Sequence, residues 1–152
     1  MKIKKCRNCK NNKLIKLFSL GKLSFTGKFP KNKNTNIKKT ELTLVMCTKC
    51  TLVQLDTNYN LKYLYGPNYG YRTGINKTMT DHMKEVKKIL LKKLKLKKGD
   101  HILDIASNDG TLLNFFNKNL IRIGVDPLVN KYKKFYQNIN YKISDFFSAK
   151  KI

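Results

Sequence analysis

Between Gly99 and Pro127 short apolar runs alternate with small and polar residues. Ile102, Leu103 and Ile105 predict a buried strand over His101–Ile105, and the small and polar residues Ala106–Gly110 predict a turn. Leu112, Leu113, Phe115 and Phe116 then predict a short helix over Thr111–Asn119, and Ile121–Val125 a second strand ending in Asp126. Strand, tight turn, helix, strand and acid is the opening of a nucleotide-binding α/β unit. Beyond Pro127, Tyr132, Phe135 and Tyr136 predict a second crossover helix over Val129–Gln137. The alternation of Ile139, Tyr141 and Ile143 predicts a third strand, followed by Asp145-Phe146-Phe147.

Upstream the period changes. Met79, Met83, Val86, Leu90 and Leu94 recur at helical spacing and predict a helix over Asn76–Leu96. Lys84, Lys87, Lys88, Lys92 and Lys93 fall off that stripe, and His82 lies near its edge as a structural residue. Leu42, Leu44 and Met46 alternate with other residues and predict a strand over Thr40–Met46. Thr51–Asp56 predicts another short one, and Lys31–Lys39 a polar loop. Tyr59–Gly74, with five Tyr and three Gly, predicts a linker whose aromatic rings pack between domains. The fold class expected is α/β, with a small β domain at 1–58, a Tyr-rich linker and helix at 59–98, and an α/β domain from 99 to 152.

Composition changes the picture little. The formal net charge is +24, which raises the possibility of a nucleic-acid partner. Only Arg7, Arg72 and Arg122 of the 33 basic residues are Arg. The Lys residues are spread along the chain together with many Asn, as drift in an AT-rich genome produces. No basic stripe with interleaved aromatics stands out, so nucleic acid is not expected as the partner. No apolar run is long enough to span a membrane. The basic N-terminus lacks the apolar region of a signal peptide, so a cytoplasmic location is expected.

The cysteines add chemistry. Cys6-x-x-Cys9 and Cys47-x-x-Cys50, separated by 37 residues, can supply four thiolates to a tetrahedral zinc. Two disulfides are disfavoured in a reducing compartment, and neither knuckle opens a helix after a strand as a redox pair does. Four thiolates leave no open position for water, so the expected site is structural.

The turn after the first α/β strand adds more. It carries Asp104 and Asp109, which repel a pyrophosphate and suit a ligand with a cationic end, such as the ammonium and sulfonium of S-adenosylmethionine. Asp126, 22 residues after Asp104, lies about where an acid reaches ribose hydroxyls. For Asp109 a helix-capping role is the alternative.

Leu103, Asp104, Ile105, Ser107, Asn108, Asp109, Gly110, Thr111, Leu112 and Leu113, with Gly124, Asp126 and Pro127, resemble the cofactor motif of class I S-adenosylmethionine-dependent methyltransferases. More narrowly, they resemble that of the C-methyltransferases of nucleotide-linked deoxysugars. Ala106 departs from the pattern, since that family usually has Gly there. The order of first knuckle, Leu20-Gly21, Phe29-Pro30, second knuckle and Leu52-Val53-Gln54-Leu55 resembles the N-terminal zinc-binding domain of the same enzymes.

The resemblance implies a zinc-binding β domain followed by an incomplete Rossmann-like, three-layer domain. It implies cofactor contacts from Asp104, Ala106, Asn108, Asp109, Gly110, Asp126 and Pro127. Asp145 would contact the adenine amine, with Phe146 as a neighbour. Tyr69-Gly70-Tyr71-Arg72-Thr73-Gly74 matches a segment that faces the substrate, with Tyr71 or Tyr69 in the proton chemistry. The implied substrate is a nucleotide-linked keto-sugar. The strand at His101–Ile105 would lie mid-sheet in the complete fold, so a truncated chain leaves it as an apolar edge, to be completed by a second polypeptide. Such a chain is expected to be inactive alone. The rival reading is a non-enzymatic zinc module that binds nucleic acid through its charge.

Overall fold

The computed structural model describes residues 1–25, 30, 32–66 and 69–150. They fall into two units, Met1–Gly70 and Tyr71–Ile152. Of the sequence features above, Thr26–Phe29, Lys31, Pro67 and Asn68 lie outside the described residues.

The first unit is an antiparallel sheet of β1 (Leu14–Ser24), β2 (Lys39–Cys47) and β3 (Val53–Leu55), in that order. β1 has no clean alternation and was not foreseen. Register shifts between Lys16 and Phe18 and between Ser19 and Lys22 break its period of two, which hides it from pattern reading. In β2, Leu42, Leu44 and Met46 do share a face, but the buried residues are Thr43, Val45 and Cys47 on the other. Side chains alternate strictly along a strand, so burying Cys47 carries Val45 and Thr43 inward with it. The Thr43 hydroxyl then donates to Ser19 Oγ at 3.0 Å.

The Tyr-rich stretch is partly ordered into a short helix, α1 (Leu61–Leu64), with Asn60 as its N-cap. Phe25 meets Tyr59 edge-on at 5.8 Å and stacks on Tyr63 at 6.3 Å. These rings therefore pack within the first unit.

The second unit holds α2 (Lys77–Lys93), β4 (His101–Ile105), α3 (Thr111–Asn114), β5 (Ile121–Val125) and β6 (Tyr141–Ile143). The three strands are parallel, in the order β4-β5-β6. β4 and β5 occupy the residues their apolar runs indicated. α2 is shorter than its stripe, because the backbone is already extended at Leu94.

Two expected helices are corrected. The one at Thr111–Asn119 closes after Asn114, since the chain must turn back for Leu120 to be buried at the start of β5. Val129–Gln137 is a series of turns ending in a 3-10 turn at Lys133–Phe135. There Tyr132 and Tyr136 are both buried, and Tyr136 packs against Gly124. A Cβ on Gly124 would lie 2.8 Å from Tyr136 Cε1 and 3.0 Å from Ser107 Oγ, so β5 needs glycine at this point. The core of the unit is Leu113, Phe116, Leu120, Val125, Leu128, Val129, Tyr136 and Ile139. Leu103 and Ile105 on β4 remain 40% and 50% exposed, and among the described residues β4 pairs with β5 alone.

Candidate functional site

The first unit builds its site from one turn used twice. In the first knuckle Lys10 N donates to Cys6 O and Cys6 N to Asn11 O. In the second, Thr51 N donates to Cys47 O and Cys47 N to Leu52 O. Each turn closes with a left-handed residue directly after its second cysteine, Lys10 (φ 62°) and Thr51 (φ 57°). The four sulfurs lie within 4.8 Å of one another. Cys6 Sγ is 3.6 Å from Cys50 Sγ, and Cys9 Sγ is 3.5 Å from Cys47 Sγ. A tetrahedral zinc with bonds of about 2.3 Å sets its sulfurs about 3.8 Å apart, so Cys6, Cys9, Cys47 and Cys50 fit that ion.

Donors from the protein surround the sulfurs. Gln54 Nε2 donates to Cys6 Sγ at 3.3 Å, and Asn11 Nδ2 and Lys49 N donate to Cys47 Sγ at 3.5 and 3.4 Å. Gln54 is itself held by Arg7, whose backbone N and Nη1 both donate to its Oε1. The N–H of Cys50, helped by Asn11 and Lys49, brings the Cys47 thiol down to about 6. Against its burial, the Cys9 N–H and the Gln54 amide hold Cys6 below the usual thiol value. The N–H of Asn11 works to lower Cys9, but burial and the three neighbouring sulfurs push it up to about 11. Sulfurs that resist ionising together without a cation, yet are met by N–H donors, suit a metal. Sequence spacing indicated the ligands; Gln54 and Asn11 carry no comparable signal.

The second unit gathers acids at one end of its sheet. Asp104 is on β4, Asp126 directly follows β5, and Asp145 follows β6. These are the carboxyl ends of parallel strands, where open α/β sheets bind ligands. Burial, with the charge of Asp126, pushes Asp104 up to about 6. Burial also raises Asp126, although N–H groups of Leu128 (2.7 Å) and Asn108 (2.9 Å) donate to its two oxygens. Asp145 Oδ1 accepts from Phe146 N at 2.7 Å. Ala106 is exposed and left-handed (φ 63°), Asn108 is left-handed (φ 50°), Gly110 is buried and Pro127 half-buried.

Asp109 is placed differently from the other acids. It is 1% exposed. Oδ1 accepts from Thr111 N and Oγ1, and Oδ2 from Gly74 N (2.9 Å) and Arg72 Nη1 (3.0 Å). A carboxylate has about four acceptor positions, and all are taken. In this geometry Asp109 holds Thr111, the first residue of α3, and fastens the segment 72–74. Asn108 works beside it: its Oδ1 accepts from Thr73 N at 2.8 Å, and its Nδ2 reaches the Tyr71 carbonyl at 3.4 Å. The Tyr132 hydroxyl donates to that same carbonyl at 2.9 Å, and the Arg72 guanidinium stacks 4.1 Å above the Phe135 ring. Tyr136, buried under the turn, donates to the Asn108 carbonyl at 2.8 Å and shares a 2.8 Å hydrogen bond with Ser107. Burial raises its phenol well above the usual range.

Tyr71 is thus brought to the turn through its backbone, with its side chain 39% exposed. Tyr69 falls in the first unit, 5.3 Å from the Tyr65 ring. Sequence reasoning named Arg72, Thr73, Tyr132 and Tyr136 but not their hydrogen bonds to the turn. The spacing of Tyr132 and Tyr136 on one side of the 129–137 segment was the available signal.

Comparison with known proteins bears on the first unit most directly. Residues 6–65 match a family described as "Putative zinc binding domain". The chain is 26% identical over 131 residues to the C-methyltransferase NovU of Streptomyces niveus, a match covering 84% of this chain and 31% of that protein. The chain therefore spans about a third of the length of the relative it matches. Among the described residues no helix is long and apolar enough to cross a membrane. Residues 6–65 thus match the zinc-binding domain of a methyltransferase family, and the chain as a whole is similar to an N-terminal methyltransferase portion.

Proposed function

We propose that this chain is the zinc-holding and cofactor-binding part of an S-adenosylmethionine-dependent C-methyltransferase acting on a nucleotide-linked keto-sugar, with a Rossmann-like second unit. The observation that carries the reading is the pair of carboxyls, Asp104 and Asp126, crowded at the carboxyl ends of adjacent parallel strands. Their mutual repulsion is relieved by a cation. S-adenosylmethionine supplies a positively charged methionine end and an electrophilic methyl group. Asp104 would face the charged end, Asp126 the ribose, and Asp145 with Phe146 the adenine. Ala106, Asn108, Gly110 and Pro127 shape the path between them, while Asp109 holds the turn. The zinc cross-links the two knuckles and takes no part in the reaction.

Tyr71 is favoured over Tyr69 for proton transfer, because Asn108 and Tyr132 tie its carbonyl to the turn. Its phenol would donate to, or when ionised accept from, the oxygen beside the carbon being methylated. Completing the enzyme with a second polypeptide belongs to the same proposal.

Calorimetry on the zinc-loaded chain tests it. S-adenosylmethionine or its demethylated product should bind more tightly than NAD. Binding should strengthen as pH rises through about 6, where Asp104 ionises, and Asp104→Asn should remove that dependence. Equal binding of NAD would refute the assignment.

A further inference from the structure

At the opposite end of the same sheet lies a second polar site. Arg122 is the second residue of β5, four positions before Asp126, and so about 13 Å away along the strand. It is only 4% exposed. Its Nη2 donates to the Asn138 carbonyl. Its Nε is sealed from solvent and has no hydrogen-bond partner among the described residues. Arg122 forms no ion pair among the described residues. A buried guanidinium cannot relieve this by losing its proton, and an unpaired buried charge is strongly unfavourable.

Arg122 lines a cleft of about 440 Å³ together with Lys118, Lys134, Asn117, Gln137 and Asn138. No acidic residue lines it. Three positive charges and several amide donors therefore converge on one cavity that contains no counter-charge. The Lys134 ammonium is kept at the rim by its place 4.9 Å over the Phe135 ring.

We infer that this cleft binds a phosphoryl-type oxyanion. Arg122 is the anchor, turning its guanidinium so that the unpaired Nε meets the anion, and Lys118 and Lys134 supply the remaining charge. A planar guanidinium matches two oxygens of such an anion at once. The site is separate from the acidic end of the sheet, where a phosphate would be repelled.

The test is thermal unfolding of the full zinc-loaded chain in sodium phosphate and in sodium chloride at equal ionic strength. Phosphate should raise the midpoint in a saturable way, and chloride should not. Lys134→Gln, an exposed change that leaves the core intact, should weaken phosphate binding roughly two- to fivefold, the range of one exposed charge contact. Arg122→Met should abolish the saturable shift. Adenosine diphosphate, titrated in parallel, separates the two sources of the anion: tighter binding than phosphate means a phosphoryl group carried on a larger ligand, and weaker binding means free phosphate. Equal shifts in phosphate and chloride, or a Lys134→Gln protein with unchanged phosphate affinity, would overturn the inference even if Arg122→Met failed to fold.

Discussion

Ala106→Gly should stabilise the second unit. Ala106 is the first residue after β4 and holds φ at 63°, a left-handed conformation. For a residue with a Cβ this costs about 1–2 kcal/mol. The Ala106 side chain is exposed, so removing its methyl group leaves no cavity. Glycine relieves the strain but has a freer unfolded chain, which takes back about 0.4–1 kcal/mol. The net gain is about 0.5–1 kcal/mol, or roughly 2–8 °C in the midpoint of a domain of this class. Native-state hydrogen exchange of the β4 and β5 amides reads the second unit separately from the zinc domain, and protection should rise about two- to fivefold.

Gly110→Ala provides the opposite change in the same turn. Gly110 is also left-handed (φ 74°), and a Cβ there would lie 2.6 Å from Ile139 Cδ1 and 3.4 Å from Tyr136 Cε1. Strain and overpacking together should remove about 2–4 kcal/mol. Unchanged or lower protection in Ala106→Gly would refute a left-handed turn at this position.

Elemental analysis of the purified chain should find about one zinc, and Cys47→Ser or a strong chelator should unfold the first unit, because metal binding and folding are coupled; metal-free protein with an ordered first unit would contradict this. Arg72→Met should destabilise the second unit by about 1–3 kcal/mol in urea unfolding, since it leaves an Asp109 oxygen buried without its charged donor; it should also release protection at Thr73 and Gly74. The carboxyl of Asp104 lies at about 6 in the fold against its usual 3.8. The native state therefore binds the proton more tightly than the unfolded chain, and stability should fall as pH rises from about 4 to 6. Asp104→Asn should flatten that part of the stability profile, and an unaltered slope would show that another group is responsible.

The sequence by itself determined the elements whose signal is local. β4 and β5 are short apolar runs bounded by turn residues. The two knuckles are fixed by cysteine spacing, and α2 by a stripe of period near 3.6. Each of these patterns is complete within a few turns of chain. Tertiary structure decided what depends on distant partners. β1 exists because β2 pairs with it across two register shifts, and its own residues do not alternate. β2 buries Thr43 and Val45 instead of its leucines because Cys47 must face the other sulfurs. The 129–137 segment gives up its helix, and Tyr132 and Tyr136 are buried against the turn that follows β4. Asp109, placed by sequence among the ligand contacts, is taken up by Arg72 and Gly74, 37 and 35 residues away. A carboxylate in a motif shows that charge is needed there, but the positions of the donors around it decide whether that charge meets a ligand or the protein's own chain.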